Sequence, residues 1–177
     1  VFMKPATALL TDNKAFYHPD FSENIHHEVE LVLKIKKNGK KILPGFGADY
    51  FDEIGLGIDF TARDLQDKLK EKGQPWELAK AFDNSAVLGH FLPKSQFVSM
   101  ADIAFSLQKN GQLVQAGNSK DLIFTFDYLI EFISKYFTLQ TGDLIYTGTP
   151  AGVGAVKPGD KLEGFLGAES MFVCEIK

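Results

Sequence analysis

His26-His27-Glu28-Val29-Glu30-Leu31-Val32-Leu33-Lys34-Ile35 is the stretch on which the fold turns. From Val29 to Ile35 it is rich in β-branched and aliphatic residues, as a strand requires. Side chains two apart on a strand share a face. Glu28 and Glu30 therefore project to one side, and Val29, Leu31 and Leu33 to the other. Two carboxylates are thus carried to the edge of an apolar core. They repel each other there unless a cation or a proton intervenes. Asn38-Gly39 follows between Lys36 and Lys41 and predicts a two-residue hairpin turn.

Further short β-type runs are punctuated by Gly, Pro, Asn and Asp: Ile54 to Ile58, Ile103 to Gln108, Leu144 to Thr147, and Lys161 to Leu166. Asn110-Gly111 predicts a second tight hairpin. Two stretches predict helices. Ala62 to Lys72 has Thr61 as its expected N-cap and Gly73 as its C′ residue, and Pro75 prevents continuation. Phe126 to Tyr136 aligns Leu129, Ile130, Ile133 and Phe137 on one apolar face, with Glu131, Ser134 and Lys135 outside. Phe124, Phe126, Phe132 and Phe137 are expected in the core. The pattern predicts one α+β domain over residues 1–177, with more strand than helix, no repeat and no linker.

The 177 residues carry a formal net charge of −4. A nucleic-acid partner would need a clustered basic face, and none is expected. Lys34, Lys36, Lys37, Lys40 and Lys41 read as solvated strand ends. Cys174 is the single cysteine, so no internal disulfide can form. It lies in the alternating run Met171 to Ile176 and reads as a small apolar strand residue. No apolar run reaches membrane-spanning length, so no membrane partner is expected. A cytoplasmic location fits. Val1-Phe2-Met3 reads as core strand, and a chain rarely begins inside its core. A preceding segment is therefore expected.

Asp59 ends the apolar run Gly55-Leu56-Gly57-Ile58 and precedes a helix start. A carboxylate at a strand end is well placed to be a third oxygen ligand beside Glu28 and Glu30, and a hard divalent cation suits such a set. Spacing alone also admits a solvated strand face for Glu28 and Glu30, and a turn or cap role for Asp59. Arg63 and Gln66 lie three apart and share a helix face, where Arg offers a planar two-pronged donor to an anion. Lys80, between Trp76 and Phe82, either snorkels to solvent or serves as a buried, paired cation. His26 and His27 flank the carboxylates but point to opposite sides, and an all-oxygen site disfavours imidazole. The loop Thr147 to Gly154 is glycine-rich but lacks a P-loop ending. Asp143 and Asp160 read as turn residues, and Asp64 as a first-turn helix acid.

Five stretches together resemble the fumarylacetoacetate hydrolase family, in that family's order. They are Phe2-Met3-Lys4-Pro5, His27-Glu28-Val29-Glu30-Leu31, Asp59-Phe60-Thr61-Ala62-Arg63-Asp64-Leu65-Gln66, Gly73-Gln74-Pro75-Trp76 with Ala79-Lys80, and Thr147-Gly148-Thr149-Pro150-Ala151-Gly152-Val153-Gly154. The small acylpyruvase and oxaloacetate decarboxylase branch is the most similar. The resemblance implies a strand-rich mixed β-roll with two main helices, assembled as a homodimer. It implies Mg²⁺ or Mn²⁺ on Glu28, Glu30 and Asp59. It implies that Arg63, Gln66 and Lys80 contact a 2-oxo acid and act in catalysis, with Thr149 closing the site and Lys4 near the pocket. The implied reaction is hydrolysis of a carbon–carbon bond in an acylpyruvate through an enolate, with oxaloacetate decarboxylation or isomerisation of unsaturated 2-oxo diacids as related outcomes. A non-catalytic metal- and oxo-acid-binding protein is the alternative of another class. This branch also carries an N-terminal His/Glu lid motif that is not found here, so the general base is expected in a preceding segment.

Overall fold

The computed structural model describes residues 1–177. Its strands are β1 (Leu9–Leu10), β2 (Ile25–His27), β3 (Val29–Ile35), β4 (Phe51–Asp59), β5 (Thr61–Ala62), β6 (Ala86–Pro93), β7 (Ala104–Lys109), β8 (Gln112–Asn118), β9 (Leu144–Tyr146), β10 (Gly154–Ala155), β11 (Lys161–Leu166) and β12 (Glu169–Glu175). The α-helices are α1 (Arg63–Glu71), α2 (Glu77–Lys80) and α3 (Phe126–Tyr136). Three sheets run in the orders β1-β6-β4-β3-β9, β10-β2-β5 and β12-β11-β7-β8. Only β1 and β6 pair in parallel; the other pairings are antiparallel, so the first sheet is mixed.

β3 lies inside the five-stranded sheet and has the alternation expected of it. Val29, Leu31, Leu33 and Ile35 enter the main core. Glu30 and Val32, on the opposite side, are buried as well. Antiparallel register sets Glu30 beside Gly57 and Val29 beside Ile58 on β4. Gly57 leaves room there: a Cβ would fall 2.4 Å from the Val87 carbonyl oxygen and 2.7 Å from the Tyr146 ring. Glu28 itself belongs to no strand. The chain changes sheets at this residue, because β2 pairs with β5 and β10 while β3 pairs with β4 and β9. The Asp59 N–H donates to the Glu28 carbonyl at 2.8 Å, so the strand end meets that break.

Local signals survive where nothing long-range competes. The Asn110-Gly111 turn joins β7 to β8 with both residues at positive φ (54° and 78°), as a primed turn demands. α1 ends in paired bonds from Gly73 N to the Lys70 carbonyl and from Gln74 N to the Leu69 carbonyl, the Schellman arrangement. Thr125 caps α3, its hydroxyl accepting from the Tyr128 N–H at 3.3 Å.

Other expectations are corrected. Asn38-Gly39 closes no tight hairpin. Gly39 instead bridges to Leu139, and the Lys41 N–H donates to the Ser134 carbonyl, so this segment is drawn onto the end of α3. Thr61 is not a helix cap: Ala62 holds that position, and the Thr61 side chain is buried. On α3 the buried stripe is Phe126, Ile130 and Ser134, and Phe137 is exposed. Ser134 can be buried because its hydroxyl donates to the Glu131 carbonyl and accepts from the Ile42 N–H. Phe124 is likewise exposed and stacks on Tyr128 (centroids 5.0 Å apart), and Tyr128 stacks on Phe132 (6.2 Å), which builds an outer aromatic ladder. Val1, Phe2 and Met3 form no strand and are exposed.

Cys174 is fully buried on β12, and burial pushes its thiol up to about 11, which leaves it unreactive at neutral pH. Asp160 ties its turn by accepting from Lys157 N and Asn110 Nδ2, and Asp143 accepts from Gln140 N. No helix is long and apolar enough to cross a membrane.

Candidate metal centre

Glu28, Glu30 and Asp59 converge although they come from a sheet break, a strand and a strand end. One carboxylate oxygen from each lies within 4.8 Å of the others. Their exposures are 8, 5 and 3 %, so water does little to separate the charges. Cations surround them. Lys80 Nζ lies 2.8 Å from Glu28 Oε2 and 2.6 Å from Asp59 Oδ2, and it donates to Thr61 Oγ1. Arg63 bonds Glu28 Oε1 through Nη2 and Gln66 Oε1 through Nη1. Lys4 Nζ lies 2.6 Å from Asp59 Oδ1 and donates to Ser85 Oγ at 2.8 Å. Lys80 thus resolves as a buried, paired cation rather than a snorkelling one, and the Phe2 ring centroid sits 5.3 Å from its Nζ.

The balance of charges differs at each carboxylate. Burial works to raise Glu28, but Lys80 and Arg63 outweigh it and hold the carboxyl below its ordinary range. Glu30 has no cation in contact. Burial, and then the neighbouring Asp59, push it up to about 8, and the one opposing bond comes from the Gly148 N–H at 2.7 Å. Gly148 sits at φ +105°, a conformation that suits glycine, and this aims its N–H at Glu30. Burial lowers Lys4 despite Asp59. The Tyr146 hydroxyl, bonded to the Val87 carbonyl, is raised by burial and by Glu30 and Asp59.

This chemistry fits a hard divalent ion. The donor set is all oxygen, as Mg²⁺ and Mn²⁺ prefer. Asp59 Oδ1 has a charged neighbour but no aligned hydrogen bond, although it is buried. The charge of Asp59 disfavours ionisation of Glu30, and a cation beside both would relieve that.

A pH dependence follows for metal-free protein. Glu30 ionises near 4.5 when unfolded and near 8 when folded. Between those values the folded state holds the extra proton, so stability falls as pH rises through that window. Thermal melts in chelator should show the melting temperature dropping from about pH 5 to about pH 8, with the slope absent in Glu30→Gln. Added Mn²⁺ should raise the melting temperature more at the upper pH, because the ligand must lose its proton to bind.

The other predicted residues gather here with one exception. Arg63 and Gln66 do share a face of α1 and meet at Glu28. Thr149 touches none of the three carboxylates directly; it is held by Gln115 Nε2 at 2.9 Å, while its neighbour Gly148 reaches Glu30. His27 is buried against Gln115, and His26 bonds Asn24, so neither imidazole bonds the carboxylates. Asp64 anchors the start of α1 to Ser22 at 2.6 Å. Sequence reasoning missed Thr61, Ser85 and Gln115. Each bonds a site residue or the loop beside it, and only Thr61 lies within a recognisable motif.

A strand-rich mixed half-barrel with a buried acidic triad ringed by Lys and Arg defines a class of enzyme. Residues 1–177 match the family model described as fumarylacetoacetate (FAA) hydrolase C-terminal, and the chain belongs to that family. It is 41 % identical over 172 residues to the mitochondrial oxaloacetate tautomerase of Rattus norvegicus, covering 97 % of this chain and 78 % of that protein. It is 40 % identical over 163 residues to the oxaloacetate tautomerase of Escherichia coli K12, covering 92 % and 74 %. Among solved structures, the fumarylpyruvate hydrolase of Pseudomonas aeruginosa in complex with Mn²⁺ and pyruvate superposes with a TM-score of 0.93 at 35 % identity, covering 99 % of this chain and 77 % of that one.

Proposed function

We propose that this chain is a divalent-metal-dependent enzyme that converts 2-oxo acids by stabilising their enolates, with keto–enol tautomerisation of oxaloacetate as the reaction best supported. The observation that carries the reading is the buried Lys80 ammonium held between Glu28 and Asp59. The names of the two tautomerase relatives support the choice of oxaloacetate.

Glu28, Glu30 and Asp59 would hold Mg²⁺ or Mn²⁺, which when bound supplies a Lewis acid toward the substrate's oxo and carboxylate oxygens. Lys80 adds a fixed positive charge beside the same carboxylates. Enolisation passes the proton beside the oxo group to a base, turns that C–H pair into the C=C bond and moves the C=O π pair onto the oxo oxygen, and a pre-placed cation favours that charge without reorganising. Thr61 and the two carboxylates hold the ammonium in place. Arg63 spends one nitrogen on Gln66 and one on Glu28, and its side chain remains 20 % exposed. Its remaining donors would take a substrate carboxylate arriving from solvent. Gln66 fixes the plane of that guanidinium.

Hydrolysis of an acylpyruvate is the second reading. It uses the same enolate and is supported by the likeness to a fumarylpyruvate hydrolase in complex with pyruvate. An absorbance assay with Mg²⁺ or Mn²⁺ on oxaloacetate and on acetylpyruvate separates them. Accelerated keto–enol exchange of oxaloacetate is expected, and preferential cleavage of acetylpyruvate would favour the second reading. Turnover of neither, with oxalate binding retained, would instead make the chain a binding protein.

A further inference from the structure

Gln115 is the only buried residue of β8, a strand at the edge of its sheet, and is 1 % exposed. Burying an amide is costly unless its hydrogen bonds are made. Here all four are. Oε1 accepts from the Val29 N–H at 3.1 Å and from His27 Nδ1 at 2.9 Å. Nε2 donates to the Pro150 carbonyl at 3.1 Å and to Thr149 Oγ1 at 2.9 Å. A backbone N–H can only donate and a carbonyl can only accept. Val29 and Pro150 therefore fix which way the amide faces, independent of how side-chain ends are assigned.

Two consequences follow. His27 Nδ1 must carry a proton, since it faces an acceptor. Thr149 Oγ1 is already an acceptor, so its own proton points away from Gln115. Gln115 also joins the two structures that flank the carboxylates. Val29 and His27 bracket Glu28, and Thr149 and Pro150 follow Gly148, whose N–H reaches Glu30.

We propose that Gln115 is a positioning residue for substrate binding: it orients the Thr149 hydroxyl so that its proton is presented to an oxo-acid carboxylate. This rests on the functional reading above, in which the site takes a 2-oxo acid. Without the amide donor, the Thr149 hydroxyl turns its proton inward or loses its orientation.

The test uses the Mn²⁺-loaded chain, with oxalate as the binding probe and oxaloacetate as substrate. Gln115→Glu keeps the side chain's shape and its acceptor for Val29, but an ionised carboxylate draws the Thr149 proton onto itself. Gln115→Met removes both sets of bonds. Each variant should weaken oxalate binding and raise KM by about 10- to 100-fold, the loss of one hydrogen bond to a charged group. Both should change kcat less than KM, and Mn²⁺ affinity by less than about threefold. Thr149→Val should match them, and Thr149→Ser, which keeps the hydroxyl, should stay close to the parent. Adding Gln115→Glu to Thr149→Val should cost nothing further, because the two act through one hydroxyl. Full additivity, or parental oxalate affinity in Gln115→Glu, would overturn the proposal while leaving the functional reading intact. A parent chain that binds no oxalate with Mn²⁺ would overturn both. If Gln115→Met fails to fold, Gln115→Glu and the Thr149 pair decide alone.

Discussion

Replacing Lys80 by Met should lower the rate of enolisation by about 10²- to 10³-fold, the loss expected when a pre-placed positive charge beside a developing oxyanion is removed. Lys80 is 3 % exposed and contacts Glu28, Asp59 and Thr61, so no other cation or water takes its place without rearrangement. Met is close to Lys in length and keeps the aliphatic packing. The same change should destabilise metal-free protein by about 3–5 kcal/mol, because it leaves buried carboxylates short of a partner. Mn²⁺ affinity should hold or rise, since a positive charge has left the neighbourhood. That combination separates a catalytic cation from a structural one. Turnover, chelator-treated melts and Mn²⁺ titration on one preparation read all three. Unchanged turnover would remove Lys80 from the chemistry.

Glu30→Gln should act with opposite signs on two quantities. Glu30 is the carboxylate without a cation in contact, and burial and Asp59 raise it to about 8. A neutral amide of the same shape removes that penalty and still accepts from the Gly148 N–H. Metal-free protein should therefore melt higher than the parent at about pH 8, where the parent's Glu30 is losing its proton. Mn²⁺ affinity should fall by about 100-fold or more, beyond the usual cost of disturbing a ligand's supporting bonds. Denaturation in chelator and a calorimetric Mn²⁺ titration measure the pair. A variant that is less stable without metal and equally tight with it would contradict the electrostatic account of the site.

The elements most legible in sequence were those whose signals are local. β3 and β11 run as the apolar alternation requires, α3 has the bounds its pattern predicts though it buries a different face, and Asn110-Gly111 turns as its backbone preference dictates. Asn38-Gly39 has the same chemistry yet makes no hairpin, because bonds to Leu139 and Ser134, about a hundred residues on, outweigh a turn preference. Glu28 and Glu30 come together for a reason the strand pattern only half contains. Their spacing is right, but the chain changes sheets at Glu28, and that depends on which strands β2 and β3 find as partners. Lys4 and Asp59 are 55 positions apart, and only the family motifs joined them in sequence. Gln115 carried no signal, since a glutamine on an edge strand is ordinarily a solvated residue. Its meaning comes from Val29, 86 positions away, and from a loop 34 positions on.

Glu28, Glu30 and Asp59 as the holders of a divalent ion are the centre of this account. The most direct measurement is a calorimetric Mn²⁺ titration of the parent chain beside Glu28→Ala at about pH 8. One site per chain in the parent, with binding and turnover both lost in Glu28→Ala, is the predicted result. Retained Mn²⁺ affinity in Glu28→Ala would contradict it.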